Sequence, residues 1–480
     1  MIPYETVIGL EAHVQLSTAS KAFCGDDTRF GAAPNTHLSA ISLGLPGTLP
    51  RLNEKQLAYA IRIGLALGGT ITRRTTFDRK NYFYADLPKG YQITQDAAPI
   101  SIGGYLPIRL NDGTEKNIRI HHLHMEEDAG KSMHISGKNY SQVDLNRAGM
   151  PLLEIVTEPD LRSAEEVDAF MRSMRRLVRY LEISDGNMQE GSLRCDVNIS
   201  LRPWGQEAYG TRCEIKNLNS MRYARQAISF EVQRQAELLD EKEEIVQETR
   251  QFDPQRGQTF SLRSKEDAHD YRYFADPDLP PCVVSEASIE KEKAQLATLP
   301  WTAYRELMKD YGLSAYDADL LSDDKAVFRF YQQLAAATDQ REALAKLLLN
   351  KLLPWLQEQE LPLADCPLSP PTIAAYLQLI ADGQVATAQA NAKLLPALLV
   401  SPEQAPAELA KKLGLIQNTD TDFLQELVQA VVAEFPNKVK AYQKGKKGLI
   451  GFFMGEVMKR SKGQAEPKAT RQLLQQLLDQ

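Results

Sequence analysis

Acidic and imidazole side chains fall on strand-like alternation in five short segments of this 480-residue chain. In 6–16 the odd positions Glu11, His13 and Gln15 share one face, while Ile8, Leu10, Ala12, Val14 and Leu16 make the other face apolar. A strand reverses its side chains at every residue, so this spacing packs one side on a core and leaves carboxylate and imidazole on the other. The stretch HLHMEEDAGKS brings His122, His124, Glu126, Glu127 and Asp128, and PLLEIVTEPD brings Glu154. EGSLRCDVNIS adds Glu190, Arg194, Asp196 and Asn198, and RCEIKNLNS adds Arg212, Glu214, Lys216 and Asn217. Carboxylates at this density are costly unless a cation or cationic substrate sits among them, which indicates a Mg²⁺-dependent site.

The elements that must position these groups are legible in outline. Strand signals lie at 5–16, 117–127, 152–157, 193–201 and 211–217. Leu193, Cys195, Val197, Ile199 and Leu201 alternate with Arg194, Asp196, Asn198 and Ser200. Pro203-Trp204-Gly205 then supplies a turn, and the chain returns with Arg212, Glu214 and Lys216 on one side. If both apolar sets face one core, Asp196 and Glu214 share the polar face, where a metal or the adjacent Arg and Lys must offset them; a solvated face laced with ion pairs is the plainer alternative. One helix begins after Asn53 and stops at Gly68-Gly69. A stronger one starts at Ser163 with Glu166 in capping-box position and Val167, Phe170, Met171, Met174, Leu177, Val178 and Leu181 on its stripe. This reads as α+β with a large, mainly antiparallel sheet over residues 1–292. After that the character changes: 303–312, 323–357 and 371–398 are rich in Leu, Ala, Gln and Lys, giving an all-helical domain over 293–404 and a small helical tail over 405–480.

Bulk properties narrow the partners. The composition is 43% hydrophobic and 25% charged, ordinary for globular domains, and a net charge of −7 confines any nucleic-acid surface to a local patch. The tail supplies one. Lys438, Lys440, Lys444, Lys446, Lys447, Lys459, Arg460 and Lys462 are opposed only by Glu456, beside the apolar stretch GLIGFFMGEVM. A charge run is usually a solvated face, but this company suits a clamp on an RNA backbone. Five scattered cysteines without a CxxC pair argue for a reducing compartment. No apolar run approaches the ~18 residues that span a membrane, and no leader-like segment precedes the first strand, so a cytoplasmic protein is expected. A Walker-type phosphate loop and a Rossmann fingerprint are both absent.

VIGLEAHVQL, FDRKNYFYADLPKGYQI, LHMEEDAGKS, VDLNRAGMPLLEIVTEPDLRS, EGSLRCDVNISLRP, EIKNLNS, ETRQFD and DYRYFADPDLPP closely resemble the GatB family, the B subunits of the glutamyl-tRNA(Gln)/aspartyl-tRNA(Asn) amidotransferases. GKKGLIGFFMGEVMKRSKGQAEP resembles that family's YqeY-like C-terminal domain. The resemblance implies a cradle-shaped catalytic domain, a helical domain and a tRNA-binding tail in a heterotrimer with a glutaminase, GatA, and a small third protein, GatC. It implies that ATP phosphorylates the side-chain carboxylate of a misacylated glutamyl or aspartyl residue on tRNA, and that ammonia from GatA displaces the phosphate.

Phosphoryl transfer of this kind needs Mg²⁺ and cationic side chains. Glu11, His13, Glu126, Glu127, Glu154, Glu190, Asp196 and Glu214 are then the expected metal ligands. Arg194, Arg212, Lys216 and Asn217 are the expected nucleotide contacts. Catalysis is expected of Glu11, Glu126, Glu127, Glu190, Arg194, Asp196 and Lys216. Mg²⁺ prefers oxygen, so His13 suits a place behind the carboxylates. Family members often carry a zinc-binding cysteine cluster near Cys24; here Cys24 stands alone, and no zinc is expected. The rival reading is a non-catalytic tRNA-binding scaffold whose acids merely stiffen the sheet.

Overall fold

The computed structural model describes residues 4–135, 137–218, 220–264, 271–296, 298–417, 421–461 and 464–479. The chain divides between Thr302 and Ala303 into two compact units. The first is built on a ten-stranded sheet. Its strands are β1 (Tyr4–Gln15), β2 (Thr70–Ile71), β3 (Ser101–Ile102), β4 (Tyr105–Arg109), β5 (Glu115–Glu127), β6 (Pro151–Thr157), β7 (Leu193–Pro203), β8 (Cys213–Leu218), β9 (Glu248–Asp253) and β10 (Gln258–Ser264). They run in the order 10-9-8-7-1-6-5-3-2, with β4 pairing on β5. Every pairing is antiparallel except β8 with β9.

The long N-terminal strand sits at the centre because both its faces have work. Ile8, Leu10, Ala12, Val14 and Leu16 are buried, and they share one core with Phe170, Met171, Met174, Leu177 and Val178 of α2 (Ala164–Tyr180). α1 (Glu54–Ala66) and α3 (Met221–Asp240) add Ile61, Ile63, Ala227 and Ile228 to the same core. Asn53 caps α1 by accepting from the Lys55 and Gln56 amides. Ser163 caps α2 through the Glu166 amide at 3.1 Å. The returning half of that box is displaced by one residue, because Glu166 Oε2 accepts from the Arg162 amide at 2.7 Å rather than from Ser163. With the even positions of β1 committed to the core, its odd positions face away from it.

The second unit is helical, as the Leu, Ala and Gln enrichment implies. The stretch 323–357 is not one helix: it breaks into Lys325–Ala335 and a run from Arg341 to Glu358 that widens into a π turn at Leu348–Leu352. A second π turn, Ala390–Leu394, stands in the same relation to Pro396 as the first does to Pro354. Proline lacks the N–H that the preceding turn expects, and the widened turn accommodates it. Further along, the helices Thr421–Glu434, Pro436–Gln443, Ile450–Arg460 and Pro467–Asp479 enclose their own apolar cluster of Leu424, Val428, Val431, Tyr442, Phe453, Val457, Leu474 and Leu478. We propose that the second unit divides again near residue 404, which makes the chain three-part.

Candidate active site

Strand register brings the acids together. In the β6–β1–β7 ladder, His13 lies opposite Glu154 on one side and Arg194 on the other, and Glu11 lies between Val156 and Asp196. Glu154 also pairs with His124 of β5, and Leu152 with Glu126. Two ligand-ready groups result: His13, Glu126 and Glu154, and beside them Glu11, Asp196 and Glu214. Because Glu11 and His13 are two residues apart on one strand, the groups are neighbours at a Cα spacing of about 7 Å.

In the first group His13 Nε2 is 3.2 Å from Glu154 Oε2 and 3.7 Å from Glu126 Oε1. His13 therefore stands among the carboxylates rather than behind them. His124, to which the sequence assigns no role, places its Nε2 3.4 Å from Glu154 Oε2 and 3.7 Å from Glu126 Oε2. Its signal is present in the chain, since His122, His124 and Glu126 follow the same alternation that flags Glu11 and His13. Burial works against charge on both imidazoles, yet Glu154 and Glu126 outweigh it, pushing His13 up to about 9 and His124 up to about 10. Burial likewise disfavours a charged Glu154, but His124 and His13 hold its carboxyl well below the usual range.

The second group is held differently. Lys216 Nζ lies 2.9 Å from both Asp196 and Glu214, supplying the offsetting charge that two facing acids require. Those acids in turn keep its ammonium charged against the cost of burial. Glu11 is less well compensated: burial, then Glu154 and Glu214, raise its pKa. It accepts one hydrogen bond, from Asn198 Nδ2 at 2.8 Å. The other end of that amide, Asn198 Oδ1, is buried without a partner. An all-oxygen set with an orphaned carbonyl oxygen beside it fits a hard divalent cation such as Mg²⁺. The first group, with its imidazole, fits a cation that tolerates nitrogen.

Other expected residues are placed elsewhere. Glu127 follows Glu126 on the strand and so points to the opposite face, where it pairs with Lys89 and accepts from the Ile93 amide at 2.9 Å. There it lines a cavity of about 200 Å³ with Phe23, Cys24, Arg79, Tyr91 and Asp278. Burial pushes the Cys24 thiol up to about 11. Arg194 shares the acid face but is engaged by Asp128 at 2.8 Å. Glu190 is exposed in the turn before β7, and Arg212 is exposed ahead of β8; neither joins the two groups. Asn217 lies on β8, its side chain outside the described residues.

In the tail, Lys440, Lys446, Lys447, Lys459 and Arg460 are exposed. Lys447 reaches Asp479 at 2.6 Å, Arg460 pairs with Glu434, and Lys438 lies 3.8 Å over the Phe452 ring. Lys462 falls outside the described residues.

The match to known proteins follows these same segments. Residues 6–290 match the GatB/GatE catalytic domain, and residues 329–478 match the GatB domain that carries the YqeY-like tail. The chain belongs to the GatB family. Relatives from Synechococcus sp. and Halorhodospira halophila are each 46% identical, over 483 and 477 residues, covering 100% and 99% of this chain and 98% and 99% of theirs. One from Syntrophotalea carbinolica is 46% identical over 475 residues, 99% of this chain and 98% of its own. All three are named as the B subunit of an aspartyl/glutamyl-tRNA(Asn/Gln) amidotransferase. A GatB chain is thus an amidotransferase component whose catalytic-domain match contains both acidic groups. No helix among its described residues is long and apolar enough to cross a membrane.

Proposed function

We propose that this GatB chain carries the kinase and transamidase steps of a glutamine-dependent tRNA amidotransferase. ATP phosphorylates the side-chain carboxylate of Glu-tRNA(Gln) or Asp-tRNA(Asn), and ammonia from the glutaminase GatA then displaces the phosphate to give the amide. The observation that carries this reading is the pair of neighbouring acidic groups on one sheet face, His13/Glu126/Glu154 and Glu11/Asp196/Glu214. Ion pairs with His13, His124 and Lys216 balance most of these acids, but a scaffold has no use for the poorly compensated Glu11 or the partnerless Asn198 Oδ1 beside it.

Glu11, Asp196 and Glu214, with Asn198 Oδ1 beside them, would hold Mg²⁺, and Glu126, Glu154 and His13 a second divalent ion. Bound there, such ions neutralise phosphate charge and polarise the transferring group. The chain's own residues do the rest. Lys216, between Asp196 and Glu214, supplies a fixed positive charge where phosphate oxygens gain charge. Arg194, steered by Asp128, offers a second cation at the edge of the same face. Glu127, Glu190, Arg212 and Asn217 are proposed to act outside the two groups. The exposed basic residues of the tail hold the tRNA backbone, and GatA and GatC complete the trimer in the cytoplasm.

Glu154→Gln in the assembled trimer tests the reading. Formation of amidated tRNA should be lost while GatA still hydrolyses glutamine; full amidation by that variant would overturn it.

A further inference from the structure

A β-bulge in β5 sets a row of imidazoles beside the acid face. Val156 of β6 pairs with His122 and Thr157 with Ile120, which leaves His121 as the extra residue. Bulges re-aim the side chains next to them. In a regular strand His121 and His122 would point to opposite faces; here their Nδ1 atoms lie 2.7 Å apart. His122 stacks in turn on His124, with ring centroids 5.2 Å apart and 20° between the planes. Its Nε2 is 3.1 Å from His124 Nδ1. The other nitrogen of His124 is the one that meets Glu154 and Glu126.

The row runs from exposed His121 through half-buried His122 to buried His124 and then the carboxylates. A partner on one imidazole nitrogen decides how the ring is turned and which tautomer it holds, and so what the other nitrogen presents. We propose that His122 is a positioning residue for amidation: by stacking and by its Nε2···Nδ1 hydrogen bond it holds His124 with Nε2 turned to Glu126 and Glu154. Those carboxylates are thereby kept in the orientation the reaction uses. The proposal rests on the reading of the acid face given above, and the bulge makes it specific to this segment.

His122→Phe keeps a flat ring for stacking and removes both nitrogens. In the trimer it should lower kcat for amidation about tenfold or more while KM for the tRNA stays within about twofold, the pattern of a lost outer contact rather than lost binding. His122→Gln, whose amide reaches the place of Nε2, should recover most of kcat. The chain has seven histidines, so ¹⁵N-histidine labelling of the full chain resolves the decisive signature. The ring nitrogens of His124 should shift in His122→Phe and return in His122→Gln. Unmoved His124 resonances in His122→Phe would overturn the proposal, with or without a fall in kcat, as would a wild-type kcat in that variant. The spectra are taken without ATP or tRNA, so their outcome is separate from the fate of Glu154→Gln, which decides the reading of the acid face.

Discussion

At the residue scale, two imidazoles and two carboxylates neutralise one another in the first group, and this makes stability depend on pH. His13 and His124 are held up at about 9 and about 10, above the ~6.5 of an unfolded histidine. The folded state therefore binds protons more tightly than the unfolded one. The stability this adds is complete below about pH 6.5 and is lost as pH rises through 9 to 10. In metal-stripped chain the thermal midpoint should fall between about pH 6.5 and 10, and His124→Asn should flatten that fall; the unchanged slope of a variant with both histidines replaced would contradict the assignment. Glu154 works in the opposite sense, its depressed pKa adding stability that disappears only in acid. Alternation alone reveals Glu11, His13, Glu154 and Asp196, because a half-buried strand announces its polar face. It also sets His124 with Glu126 and turns Glu127 away from both, but it does not show that His124 meets Glu154 or that Glu127 meets Lys89, since those contacts depend on what flanks β5.

At the element scale, the acid face stays in register because the core behind it does. Phe170 of α2 is fully buried against the sheet. Phe170→Ala should cost about 3–5 kcal/mol in chemical denaturation, and loss of the Ser163 cap in Ser163→Ala only about 1 kcal/mol. Equal, small effects would mean that α2 is not a supporting layer. Strands at 5–16, 117–127, 152–157 and 193–201, and the caps at Asn53 and Ser163, are legible because period and cap chemistry are local. No local pattern singles out α3, β9 and β10. α3 mixes its apolar residues with Glu231, Gln235 and Arg234, and these make sense only once Glu231 meets Arg250 at 2.8 Å across the fold. The pairing of β8 with β9 is parallel and needs the whole of α3 between its partners, a long-range relation that short-range periodicity does not encode.

At the scale of the whole molecule, an acidic chain carries a dense run of basic residues, Lys438 to Lys462, in a tail with its own apolar cluster. Deleting residues from 405 onward should raise the apparent KM for tRNA about tenfold or more and flatten its salt dependence, because each lost phosphate contact removes released counterions. Glutamine hydrolysis by the trimer should be unaffected. Equal affinity and equal salt slope at two ionic strengths would place the tRNA elsewhere. The central claim, however, concerns the sheet face, and it is tested most directly by metal binding. Mn²⁺ titrated into metal-stripped full-length chain and followed by electron paramagnetic resonance should report ions bound at both groups, one lost in Glu154→Gln and the other in Glu214→Gln. An unaltered chain that binds no ion, or two variants that bind as it does, would contradict the account.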